Sequence, residues 1–120
     1  MKLSDAISKV STTAKSQEIS IEDSGWLGDK SSAEIRKLNA AFRKRYDTLL
    51  LETIQLLGEP SVKYGAKDKP PSWYPETLSL AGWDKSDRTV FLALVHHDQE
   101  TPIAILFGSL TAKEIAELEE

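Results

Sequence analysis

Thr77-Leu78-Ser79-Leu80-Ala81-Gly82-Trp83, Thr89-Val90-Phe91-Leu92-Ala93-Leu94-Val95 and Ile103-Ala104-Ile105-Leu106-Phe107 are three apolar runs separated by two short polar ones. Their lengths and β-branched or aromatic content predict a three-stranded antiparallel meander over residues 77–110. The middle run is apolar at odd and even positions alike. As a strand it must be covered on both faces, because successive side chains point to opposite sides.

Loop lengths fix an expected register. A four-residue loop Asp84 to Asp87 sets Trp83 opposite Arg88, Leu80 opposite Phe91 and Leu78 opposite Ala93. A loop from Asp98 to Thr101 sets Val95 opposite Ala104 and Ala93 opposite Leu106. One face then carries Leu78, Leu80, Phe91, Ala93, Val95, Ala104 and Leu106. The other carries Trp83, Leu92, Leu94, Ile103, Ile105 and Phe107, with Thr77 and Ser79.

The longest local signal lies upstream. Ser31-Ser32-Ala33-Glu34 is a capping box, and Gly58 followed by Pro60 is a helix stop, so a helix is predicted over Ser32 to Leu57. Ile35, Leu38, Phe42, Tyr46, Leu49, Thr53 and Leu56 form its apolar stripe. Helix and sheet each need to bury one apolar surface, which places the second half of the helix on the Leu78/Phe91/Leu106 face. Arg36, Lys37, Arg43 and Lys44 fall on the opposite side of its first half, as a solvated face or a contact for an acidic partner.

The remaining segments are less regular. Leu3, Ile7, Val10 and Ala14 recur at helical spacing among serines and threonines that favour a helix weakly, and Ile19 and Ile21 alternate with polar residues as in a short edge strand. Trp26 reads as an aromatic plug in a loop. Pro60, Gly65, Pro70, Pro71 and Pro75 make residues 59–76 an irregular loop, at whose end Trp73 and Tyr74 either pin the loop down or offer an aromatic contact to a partner. Thr111 and Glu114 cap a C-terminal helix that turns Ile115 and Leu118 inward. The whole is an α+β fold in one domain over residues 1–120: a weakly structured helix and loop (1–30), the long helix (31–58), the loop (59–76), the sheet (77–110) and a short helix (111–120).

Composition excludes several functions. The 15 basic residues against 19 acidic ones give a net charge of -4, which leaves no field to draw a phosphate backbone, so no nucleic-acid partner is expected. The absence of cysteine removes disulfides, thiolate nucleophiles and thiolate metal sites. An acidic residue at Asp5 and the lack of a long apolar run predict neither a signal peptide nor a membrane span, and hence a cytoplasmic protein with no membrane partner.

The polar residues able to carry chemistry are His97, Asp98 and Glu100, with Glu76 brought beside them by the meander. Adjacent strand residues point to opposite faces, so His96 and His97 do not grip one ion together, and no metal or cofactor is expected. No phosphate loop, nucleophile elbow or His-Glu-x-x-His pattern accompanies them, and the reading taken is a polar hairpin end, with general acid–base catalysis as the alternative.

Leu56-Leu57-Gly58-Glu59-Pro60, Trp83-Asp84-Lys85 with Asp87-Arg88, and His97-Asp98-Gln99-Glu100-Thr101-Pro102-Ile103 resemble stretches of small bacterial proteins, some of the toxin-immunity type. The resemblance covers Tyr46 to Gly108 and implies an inhibitor that binds one cognate toxin. The chain is accordingly expected to be a protein-binding module; a small enzyme or ligand-binding protein using the His97 end, and a structural homo-oligomer, are the alternatives. A homodimer or permanent partner is expected on the Ile103/Ile105/Phe107 face, since the two short helices look too small to hide it.

Overall fold

The computed structural model describes residues 2–12, 16–65, 67–75, 77–96 and 101–119. Its elements run α1 (Leu3–Thr12), β1 (Gln17–Asp23), α2 (Ser32–Leu57), β2 (Val62–Tyr64), β3 (Thr77–Asp84), β4 (Arg88–Val95), β5 (Ala104–Thr111) and α3 (Ala112–Glu119). The fold is α+β, as the sequence implies, but the sheet has five strands in the order β1-β5-β4-β3-β2, all antiparallel neighbours, where three were expected.

The two additional strands flank the meander. β1 lies against β5, with Ile19 opposite Phe107, so residues 1–30 hold a paired strand as well as a helix and loop. β2 is three residues inside the stretch read as an irregular loop, with Val62 opposite Gly82. Nothing local marks it: Ser61 N–H donates to the Gly82 carbonyl (2.7 Å) and Asp84 N–H to Ser61 Oγ (2.9 Å), so pairing with β3 makes the strand.

The β4–β5 register is as expected, with Val95 opposite Ala104 and Leu92 opposite Phe107. That between β3 and β4 is shifted by two: Leu80 faces Ala93 and Gly82 faces Phe91. Lys85 N–H donates to the Arg88 carbonyl (2.7 Å), closing a two-residue turn at Ser86-Asp87 in place of the four-residue loop. A shift of two preserves which face each side chain occupies. Between Thr77 and Ser79 the ladder skips Leu78, which is left 38% exposed instead of facing inward.

Both long apolar surfaces meet on the face opposite to the one expected. Tyr46, Leu49 and Leu50 of α2 and Leu3, Ala6 and Val10 of α1 form one core with Trp83, Leu92, Leu94, Ile103, Ile105 and Phe107. This face offers the bulkier side chains, whereas the other has alanines at positions 93 and 104, so more apolar area leaves water when the helices sit here. Ile103, Ile105 and Phe107 are fully buried, which corrects the expectation that α1 and α3 leave them open for a partner. Leu118 of α3 is 51% exposed and does not turn inward.

Polar ties fix α2 on the sheet. Ser31 Oγ accepts from Glu34 N–H (3.2 Å) while Glu34 Oε1 accepts from Ser31 N–H (3.3 Å), completing the capping box. Arg43 Nη1 donates to Ser79 Oγ (2.8 Å), Arg45 pairs with Glu22 of β1 (2.8 Å), and Trp83 Nε1 donates to the Gly58 carbonyl just past the helix end (2.8 Å). At the far end of the sheet the Arg88 guanidinium bonds Asp87, holding that carboxyl below its usual range, and donates to the Val10 carbonyl in the last turn of α1 (3.2 Å).

Tyr46 is buried against the sheet and donates to the Leu92 carbonyl (3.4 Å). Burial pushes its phenol well above the ordinary tyrosine value of 10.0, with Asp47 adding to the rise and Arg43 opposing it. Below that ordinary value both folded and unfolded states keep the proton, so stability there is unaffected. Above it the unfolded chain ionises while the folded one does not, and stability is lost as pH rises. Alkaline titration of unfolding should therefore show a decline beginning near pH ~10, and Tyr46→Phe should soften it while costing about 0.5–1.5 kcal/mol at neutral pH. An unchanged alkaline profile in Tyr46→Phe would assign the decline to other groups.

Candidate protein-binding surface

Among the described residues, those singled out in the sequence do not form one site. Glu76, His97, Asp98 and Glu100 lie outside the described residues. His96, at the end of β4, is half-buried, and its Nε2 has no hydrogen-bond partner among the described residues. No group of three or more His, Cys, Asp or Glu side chains able to hold a metal ion occurs among the described residues.

Trp73 and Tyr74 pin their loop down. Their ring centroids lie 5.8 and 5.2 Å from that of Phe91, with the rings tilted, and 6.3 Å from each other, edge to face, so the three aromatics cluster on the sheet. With Leu80, Ala93 and Val95 they make a second, smaller core on the face away from the helices. The basic residues of α2 belong to the other side of the molecule. Arg43 is spent on Ser79, and Arg36, Lys37 and Lys44 are exposed. Aromatic pair and basic cluster are thus separated by the sheet and do not build one contact.

A different surface emerges from the layering. The helix core occupies one face, and on the other Trp73 and Tyr74 of the 67–75 loop pack with Leu80, Phe91, Ala93 and Val95 of β3 and β4. Over β5 and β1 that second face is less covered among the described residues: Ala104, Leu106 and Leu110 are half-buried, and Ser20, Glu18 and Asp23 of β1 stand exposed beside them. Val95, Pro102, Ala104 and Leu106 floor a hollow of about 390 Å³ there, with Ser20 and Asp23 on its rim.

The position of these groups follows from local chemistry. Ser24 N–H donates to the Ile103 carbonyl (2.9 Å) and Ser24 Oγ accepts from Ile103 N–H (2.9 Å), which clamps the end of β1 to the start of β5. Gly25, at φ 74°, then turns the chain away while its N–H bonds Asp23 Oδ1 (2.9 Å). Sequence reasoning placed Leu106 and Ala104 on this face but had no means of finding the opening, since a gap is defined by the elements that fail to reach it.

Among the described residues no helix is long and apolar enough to cross a membrane. No protein-family model, curated protein or solved structure matches the chain.

Proposed function

We propose that this chain is a protein-binding module that works by surface contact, in the manner the resemblance to toxin-immunity proteins implies. The observation that carries the reading is the second sheet face, where apolar Ala104 and Leu106 stay half-buried beside an acidic strand among the described residues. Apolar floor and polar rim together are the anatomy of a specific interface. The helix surface around Arg36, Lys37 and Lys44 is a secondary contact in this reading.

Affinity capture from the native host tests it. The wild-type chain is expected to retain one stoichiometric protein partner, Leu106→Glu to lose it by more than tenfold, and Lys37→Glu to keep most of it. Retention of a small molecule instead of a protein, or equal capture by Leu106→Glu, would sink the reading. For the inhibitor form, co-expression should protect a cell from the partner's toxicity.

A further inference from the structure

Two hollows in the molecule share one strand. The first, on the open face, has Ser20 and Asp23 of β1 on its rim. The second, of about 540 Å³, lies on the helix side between α1, α2 and β1, where Leu3, Ile21, Leu49 and Leu56 line it with Glu22 and Arg45. They open on opposite sides of the same sheet edge. β1 pairs with β5 alone, and the seven-residue strand presents its other row of N–H and C=O groups away from the sheet with no strand partner among the described residues. The opposite edge, β2, has three residues and offers little to pair with.

We infer that β1 accepts an extended segment of the partner protein as a sixth strand, a mode that rests on the binding-module reading above. A strand sends successive side chains to opposite faces, so two neighbouring apolar residues of an added strand would flank β1 on its two sides, one beside the Ser20/Asp23 rim of the first hollow and one beside Ile21 and Glu22 at the second, while the backbone pairs with β1. Charge selects the occupant. β1 carries Glu18, Glu22 and Asp23 and no basic residue; with Glu22 paired to Arg45, Glu18 and Asp23 set the preference, so the fitting segment has Lys or Arg flanking its apolar pair. A second copy of this chain is the wrong occupant: antiparallel pairing of β1 with itself about Ser20 sets Glu18 against Glu22 on either side of the centre, carboxylate on carboxylate, in a protein of net charge -4.

The test uses a short synthetic peptide with two apolar residues between lysines, the same peptide with proline at its centre, and one with glutamate for each lysine. Binding of the first should slow amide exchange across Gln17–Asp23. The proline and glutamate peptides should bind at least tenfold more weakly, and Glu18→Lys with Asp23→Lys should reverse the charge preference. Equal binding by the proline peptide, protection falling outside β1, or no protection of β1 at any peptide concentration reached would overturn strand addition. Dimerisation by β1 in light scattering would overturn the choice of occupant. A native partner whose capture fails with Leu106→Glu but is indifferent to Glu18→Lys and Asp23→Lys would leave the binding module standing and remove only this mode.

Discussion

Leu94→Ala is expected to cost about 2–5 kcal/mol, a large part of the margin that holds a domain of this size together. Leu94 sits opposite Ile105 in the central strand, 1% exposed, in the core shared by α1, α2 and the sheet. Removing three carbons there forfeits their transfer free energy and leaves a void that two helices and a sheet relax into only partly. The contrast is Leu51→Ala on the outer side of α2, where the side chain is 64% exposed and the expected change stays within about 0.5 kcal/mol. Urea titration of both variants decides whether the helices cover this face in solution: a loss below about 1 kcal/mol for Leu94→Ala would mean that they do not.

The second large effect is predicted at Gly108. It stands where β1 crosses β5, opposite Glu18 on one side and Phe91 on the other. A Cβ there would lie 2.6 Å from the Gln17 carbonyl oxygen and 2.9 Å from Phe91 Cζ. The first neighbour is backbone held in the ladder and the second a ring wedged under Trp73 and Tyr74, so neither yields cheaply. Gly108→Val should therefore cost about 1–3 kcal/mol or more, and the loss should be local first: amides of β1 lose protection while those of β3 and β4 keep theirs. Gly28→Ala is the control. Its Cβ would also meet atoms at 2.5–2.9 Å, but they belong to the Trp26 indole, which is 61% exposed and free to swing, so a small change is expected. A Gly108→Val protein that melts with the wild type would show that β1 and β5 leave room for a side chain between Gly108 and the Gln17 carbonyl.

These sites also mark how far the residues spoke for themselves. Where a rule is local, the sequence was readable: Ser31 and Glu34 start α2 and Gly58 ends it, and the expected β4–β5 register, with Val95 opposite Ala104, is the one observed. Where two local solutions compete, reading failed. The Asp84–Arg88 connection closes as a two-residue turn because Asp84 gains a place in the ladder and accepts from the Thr89 hydroxyl (3.0 Å), a bond that no pattern of hydrophobicity reveals. Leu78 was counted as inward by strict alternation, and one skipped residue turned it out. The choice of face for α2 was a comparison of two apolar surfaces, which needs volumes rather than periodicities. For the candidate surface the same division holds. Trp73 and Tyr74 were correctly suspected of fastening their loop, yet the open ground over β5 and β1 depends on how far that loop reaches, and reach is a property of the folded chain.

One buried polar atom adds a smaller expectation. Ser109 Oγ lies inside with no hydrogen-bond partner among the described residues, so Ser109→Ala should be neutral or raise stability by up to about 1 kcal/mol in thermal unfolding. A loss of more than that would reveal a partner for the hydroxyl in solution.

The order of strands has a consequence for how the molecule comes into being. β1 is made before β2, β3 and β4 and the strand it pairs with, β5, after them, so Ile19 waits for Phe107 while those strands are synthesised. Closing so long a loop costs entropy that the local hairpin β3–β4 does not face, and at a few residues per second the wait lasts seconds. Throughout that interval the nascent chain carries a strand whose ladder is bare on both sides. The three carboxylates of β1 then act as a guard, keeping neighbouring nascent copies on a polysome from pairing through that strand before its own partner arrives.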